Sequence, residues 1–142
     1  MFGIFPRPKD QTFNVAAIGE SWLVRPLTHD GVEGKLHVRQ LPSNVARRSF
    51  GFVALSQNEA SLQPDQISAL TKQVQRALEH DGACLLVLIH DVPGQVTWYA
   101  YAASRGALDK AFAAVKTPSV RWGINEDKGW LEYEHARSLV GA

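Results

Sequence analysis

Apolar and polar positions along the chain follow two periods. Residues Ala83 to Ile89 form a continuous apolar run, with Cys84, Leu86 and Leu88 on one parity and Leu85, Val87 and Ile89 on the other. Successive strand residues point to opposite faces, so a strand apolar on both parities must be covered on both sides. The run continues through His90-Asp91-Val92 to Pro93-Gly94, then into Gln95-Val96-Thr97-Trp98-Tyr99-Ala100-Tyr101. Two runs rich in β-branched and aromatic residues about a Pro-Gly turn predict a hairpin.

The helical period is clearest over residues 63–81. Ile67, Leu70, Val74, Ala77 and Leu78 recur on one stripe, Pro64 and Asp65 suit a first turn, and Gly82 suits a stop. A second helix is predicted from a Ser104 cap to about Lys116, with Leu108, Ala111, Phe112 and Val115 inward and Pro118 beyond it. Val120, Trp122 and Ile124 alternate with polar or small residues in a further strand, and a last segment from about Lys128 presents Trp130, Tyr133 and Leu139. Upstream, Phe13 to Ile18 reads as a short strand. Trp22 to Thr28 and Lys35 to Leu41 read as a hairpin turning through residues 29–34, and Phe50 to Ser56 as another strand. Pro26 lacks a ladder donor and places its strand at an edge or a bulge.

From residue 50 to 125 the order is strand, helix, strand, strand, helix, strand. The expected fold is therefore α+β, a ferredoxin-like βαββαβ two-layer sandwich extended by N-terminal antiparallel strands. One domain spans residues 1–142: an arm and strands over 1–48, the βαββαβ core over 49–125 and a C-terminal segment over 126–142. Two helices on one flank leave the other sheet face to the N-terminal strands, the C-terminal segment or a second subunit.

Composition narrows the function classes. The 142 residues carry a net charge of +1, one cysteine and four tryptophans. So small a charge supplies no general field for nucleic acid, and nucleic acid is not an expected partner. No apolar run approaches a bilayer span, and a lone cysteine forms no internal disulfide, so the expected location is the cytoplasm. The opening Phe2, Ile4 and Phe5, followed by Pro6-Arg7-Pro8-Lys9, reads as an arm packed on its own domain; contact with a membrane surface is the alternative.

Catalytic and cofactor motifs are not found. There is no phosphate loop or dinucleotide fingerprint, and Gly19-Glu20-Ser21 continues to Trp22-Leu23 without the second glycine of a nucleophile elbow. No cofactor, metal or catalytic residue is expected. Cys84 lies in the apolar run and is expected in the core. His29-Asp30, His80-Asp81 and His90-Asp91 sit where elements stop, and Glu126-Asp127 and Glu132/Glu134 read as solvated charge. Two binding candidates remain. A hairpin turn centred near Val32 sets Arg25 across from Arg39 with His37 nearby, either an anion-binding cluster or edge protection. Tyr99 and Tyr101, with Trp98, Arg121 and Trp130, form either an interface patch or part of the core.

The run from Leu85 through Trp98-Tyr99-Ala100-Tyr101, the helix over 105–116 and the close Asp127-Lys128-Gly129-Trp130-Leu131-Glu132-Tyr133 resemble a bacterial family, domain of unknown function 695. That family is similar in turn to the regulator of ribonuclease E activity B. The likeness covers roughly residues 20–135 and implies a small α+β fold with a regulatory, protein-binding role and no catalytic residues. The resulting expectation is a non-enzymatic cytosolic binding or regulatory module with a protein partner or a homodimer. The alternative is a small anionic-ligand-binding protein or hydrolase using Arg25, Arg39 and His37.

Overall fold

The computed structural model describes residues 11–141, so the expectations for the opening arm lie outside the described residues. Among the described residues the fold is α+β: one six-stranded antiparallel sheet with four α-helices. In chain order the elements are α1 (Val15–Ile18), β1 (Trp22–His29), β2 (Val32–Arg39), β3 (Phe52–Asn58), α2 (Pro64–Glu79), β4 (Cys84–Val92), β5 (Gln95–Ala102), α3 (Arg105–Ala113), β6 (Val120–Glu126) and α4 (Leu131–Val140). The strands lie in the order β1-β2-β4-β5-β3-β6, and the sheet stays open at β1 and β6.

The apolar run forms the middle of the sheet, and Cys84 to Leu88 are all buried. On one flank α2 and α3 cover Cys84, Leu86, Trp98, Ala100 and Ala54 with Leu70, Val74, Leu108 and Phe112. On the other flank Leu85, Val87, Leu88, Val38, Val53 and Tyr101 pack against Trp130, Tyr133 and Ala136, with Phe13 and Phe50 beside them. The part of the second face around Leu85, Val87, Leu88, Val38 and Tyr101 is thus covered from within the chain, by α4 and the segment around Phe13. The N-terminal hairpin prolongs the sheet at the β4 edge, with β1 outermost as Pro26 requires.

One irregularity resets the parity of β4. Leu86 pairs with Ala100 and Leu88 with Tyr99, which leaves Val87 as a bulge. Leu88 therefore joins Leu85 and Val87 on the α4 flank, while Ile89 packs on the α2 flank. The strict alternation expected from the sequence puts these two residues the other way round.

Two further expectations are corrected. Residues 15–18 are helical because Asn14 Oδ1 accepts the Ala17 N–H at 3.2 Å and caps a single turn. The β1–β2 turn is the two-residue Asp30-Gly31, with φ of 51° and 78°, rather than a wide loop about Val32. Helix α2 begins at Pro64, and the Gln66 side chain accepts the Gln63 N–H at 2.9 Å, so Gln63 serves as the cap.

Candidate functional site

The tight turn decides the fate of the cationic cluster. It sets Arg25 opposite Leu36 and Arg39 opposite Trp22, so the expected Arg25–Arg39 pairing does not form. The register is shifted by an odd number of residues, which sends the two arginines to opposite faces. His37 lies across from Val24 and Ile89, on the face away from Arg25. Arg39 is fully buried and already spent: it donates to Glu79 Oε2 at 2.6 Å, to the Leu86 carbonyl at 3.0 Å and to the Gly19 carbonyl. Glu79 also accepts the Leu86 N–H, so this pair ties β2 and β4 to the end of α2. It is a structural clasp and leaves no cation for a ligand.

The aromatic candidates separate in the same way. Trp98, Tyr101 and Trp130 are fully buried. Tyr101 stacks on Trp130 with ring centroids 3.9 Å apart, and its hydroxyl donates to Asp127 Oδ2 at 2.6 Å. Asp127 also accepts the Leu131 and Glu132 N–H groups at 2.8 and 3.1 Å, so one carboxylate holds the first turn of α4 and the β5 tyrosine together. Trp130 Nε1 donates to the Arg47 and Phe50 carbonyls. The Asp127, Trp130 and Tyr133 positions of the closing motif are thus a lock for α4. Asp127 departs from the solvated charge expected of it. Burial and the Asp127 hydrogen bond raise the Tyr101 pKa beyond the ordinary phenol range.

Of these aromatic candidates Tyr99 alone stays half-buried, at the margin of the surface that α4 covers. Helix α4 packs across β1, β2 and β4. Beyond it the register aligns Leu88, Tyr99, Leu55 and Gly123 in one row, and His90, Thr97, Gln57 and Arg121 in the next. Leu55 and Tyr99 are half-buried, and Gly123, Arg121 and Asn125 are exposed. Arg121 Nη2 donates to Gln57 Oε1 at 2.7 Å, and Gln95 Nε2 donates to the same oxygen at 3.3 Å. An apolar strip with one phenol is therefore bordered by a hydrogen-bonded polar rim. Burial, and to a smaller extent Glu132 on α4, raise the Tyr99 pKa. His90 Nε2 is enclosed without a hydrogen-bond partner, and burial with nearby His29 lowers the His90 pKa despite Asp91.

His29-Asp30 and His80-Asp81 lie at element ends as expected, whereas His90-Asp91 lies within β4 and pairs with β2 and β5; among the described residues no three His, Cys, Asp or Glu side chains gather in a metal-holding group. Cys84 is buried, and its thiol is pushed up to about 12, chiefly by burial. No described helix is long and apolar enough to cross a membrane. A separate cleft of about 730 Å³ opens between the end of α2 and α3, with alanines on its walls. Sequence reasoning missed it, because its lining comes from separated stretches whose small side chains carry no pattern of their own.

No family model, curated protein or solved structure matches this chain.

Proposed function

We propose that the chain is a non-catalytic binding module that acts through protein–protein contacts at the uncovered sheet surface around Tyr99. The observation that carries this reading is the Tyr99–Leu55–Gly123 row, left open beside the surface that α4 covers. A phenol on an aliphatic floor with an arginine at the rim is the composition that protein interfaces use for their strongest contacts. The β6 strand adjoins the row and is an edge of the sheet among the described residues, partly blunted where Arg105 donates to the Ile124 carbonyl at 3.0 Å. The resemblance to the regulator-like family supports the same role. The strand order β4-β5-β3-β6, with α2 and α3 on one flank, supports reading residues 52–126 as a ferredoxin-like unit with β1 and β2 added. The anionic-ligand alternative loses its support, since its arginines lie on opposite faces and Arg39 is occupied.

The test compares wild type with Tyr99→Ser and Gly123→Arg. A Cβ at Gly123 meets no atom within 4 Å, so that variant leaves the fold intact. Partner capture from the native host, and self-association by light scattering, are measured with each chain. The reading requires a captured protein or a dimer that both variants lose while the thermal midpoint stays near wild type. A set of retained proteins and a particle mass unchanged by both variants would refute it.

A further inference from the structure

We propose that β6 pairs antiparallel with β6 of a second copy of this chain, about a two-fold axis at Gly123, joining the two sheets edge to edge. At the ends of the β3–β6 ladder the Asp127 N–H donates to the Gly51 carbonyl at 2.7 Å, and the Glu59 N–H donates to the Ser119 carbonyl at 3.2 Å. Bonded and unbonded pairs alternate along an antiparallel ladder, so the odd-numbered residues of β6 spend their backbone groups on β3. Val120, Trp122, Ile124 and Glu126 therefore turn theirs outward, and β6 is an edge among the described residues. A register centred on Gly123 sets Trp122 opposite Ile124 of the second copy, and Arg121 opposite Asn125. Trp122 and Ile124 are half-buried on the α3 flank, where the Trp122 ring stacks on Phe112 with centroids 5.7 Å apart. Pairing them covers apolar area that each copy leaves in water. At the axis Gly123 leaves no two side chains confronting each other, and Arg121 leans back onto Gln57, its own partner on β3.

Charge favours a second copy over an unrelated strand. Arg105 and Asp109 stand about one turn apart on α3. Arg105 reaches the Ile124 carbonyl at 3.0 Å, and Asp109 accepts the Trp122 indole N–H at 2.9 Å. Both side chains are exposed, and among the described residues neither forms an ion pair. The axis at Gly123 exchanges Trp122 with Ile124, so it brings each Arg105 beside Asp109 of the other copy. In turning to that carboxylate, Arg105 releases the Ile124 carbonyl to an N–H of the incoming strand. A contact confined to one strand and one helix face is small, and the dimer is populated only in concentrated solution. It uses the edge rather than the Tyr99 face, so it stands apart from the proposed function.

The experiment follows the mass of the full chain by sedimentation between about 10 μM and about 1 mM, where the wild type should pass from one copy to two. Arg105→Asp and Asp109→Arg should each keep the chain single, because like charges then face across the axis. Mixed in equal amounts the two variants should associate, since every acid meets a base. Cross-linking reads the register. Gly123→Cys should oxidise to a linked pair, because unbonded cross-strand positions stand roughly 4.5 Å apart between Cα atoms, within disulfide reach. A Cβ at Gly123 meets no atom within 4 Å, so that variant keeps the fold. Arg121→Cys and Asn125→Cys should link to each other when mixed, and neither to itself. Wild type, whose Cys84 is 1% exposed, is the blank. Tyr99→Ser should associate as wild type does, its β5 position lying two strands in from β6. A wild-type chain still single at about 1 mM, or charge variants that stay single when mixed, would overturn the proposal. So would Arg121→Cys linking to itself as readily as to Asn125→Cys, which marks another register. Loss of the pair in Tyr99→Ser would also overturn it, in favour of association through the sheet face.

Discussion

Removing the Asp127 carboxylate should release α4 from the sheet. In Asp127→Ala the Tyr101 hydroxyl loses its acceptor inside the core, and a buried donor left alone costs about 1–3 kcal/mol. The Leu131 and Glu132 N–H groups lose their cap as well, at about 0.5–2 kcal/mol. A total near 3 kcal/mol is a large share of the roughly 5–15 kcal/mol that stabilises an ordinary domain. For a chain of this size it lowers the thermal midpoint by roughly 10 °C. Asp127→Asn keeps the shape and one acceptor oxygen, so its loss should be smaller. The assay is thermal and urea unfolding of both variants, of Tyr101→Phe, and of the double substitution. The two sites share a hydrogen bond, so the cycle should show a coupling of about 1–2 kcal/mol. Asp109→Ala serves as the contrast, because its bond to Trp122 Nε1 is exposed, and it should cost no more than about 0.5 kcal/mol. If Asp127→Ala melts within about 2 °C of the parent, or if the cycle shows no coupling, Asp127 is not the lock.

Three other outcomes follow from the buried groups. Glu79→Ala strands the Arg39 guanidinium in the core and should cost about 3–5 kcal/mol in urea unfolding, whereas Arg39→Met with Glu79→Leu should recover part of that loss; a double variant no better than the single would contradict this account. The pKa of His37 and of His90 is lowered by burial, so the folded state holds fewer protons than the unfolded chain just below the ordinary histidine value of 6.5. Stability conferred by the neutral rings is complete above that value and declines as pH falls toward the folded values. Unfolding free energies across this window should show the decline, and His37→Gln with His90→Gln should flatten it. With its thiol pushed up to about 12 and only 1% exposed, Cys84 should react with a disulfide reagent at pH 8 only as fast as the chain opens; rapid labelling of the folded protein would contradict the burial.

What the sequence disclosed was local. The α2 stripe, the Ser104 cap of α3 and the Pro93-Gly94 hairpin each rest on residues close in sequence, and each appears where periodicity puts it. The two-sided burial of β4 was legible too, since apolar residues on both parities leave no wet face. The bulge at Val87 was not, because a run apolar throughout looks the same whether or not one residue is skipped. The β1–β2 register was lost because both Asp30-Gly31 and the wider stretch to Gly34 contain turn formers; choosing the wrong centre moved Arg25 and Arg39 to false partners. Arg39 and Glu79 are 40 residues apart, and nothing local marks them as a pair. The closing motif drew notice to Trp130 and Tyr133, yet the role of Asp127 depends on Tyr101, 26 residues upstream. The surface at Tyr99 is defined by what α4 fails to cover, which is a property of the assembled layers.

The order in which the ribosome delivers this chain has a cost that the finished fold hides. All six strands emerge before α4, so Leu85, Val87, Leu88 and Tyr101 await their cover for the few seconds that separate them from Val140 at ordinary elongation rates. Once β6 is made, and until α4 closes, the nascent sheet is finished on one side and oily on the other. A chaperone that shields hydrophobic surface, or simply dilute and rapid synthesis, then governs how much product survives to close.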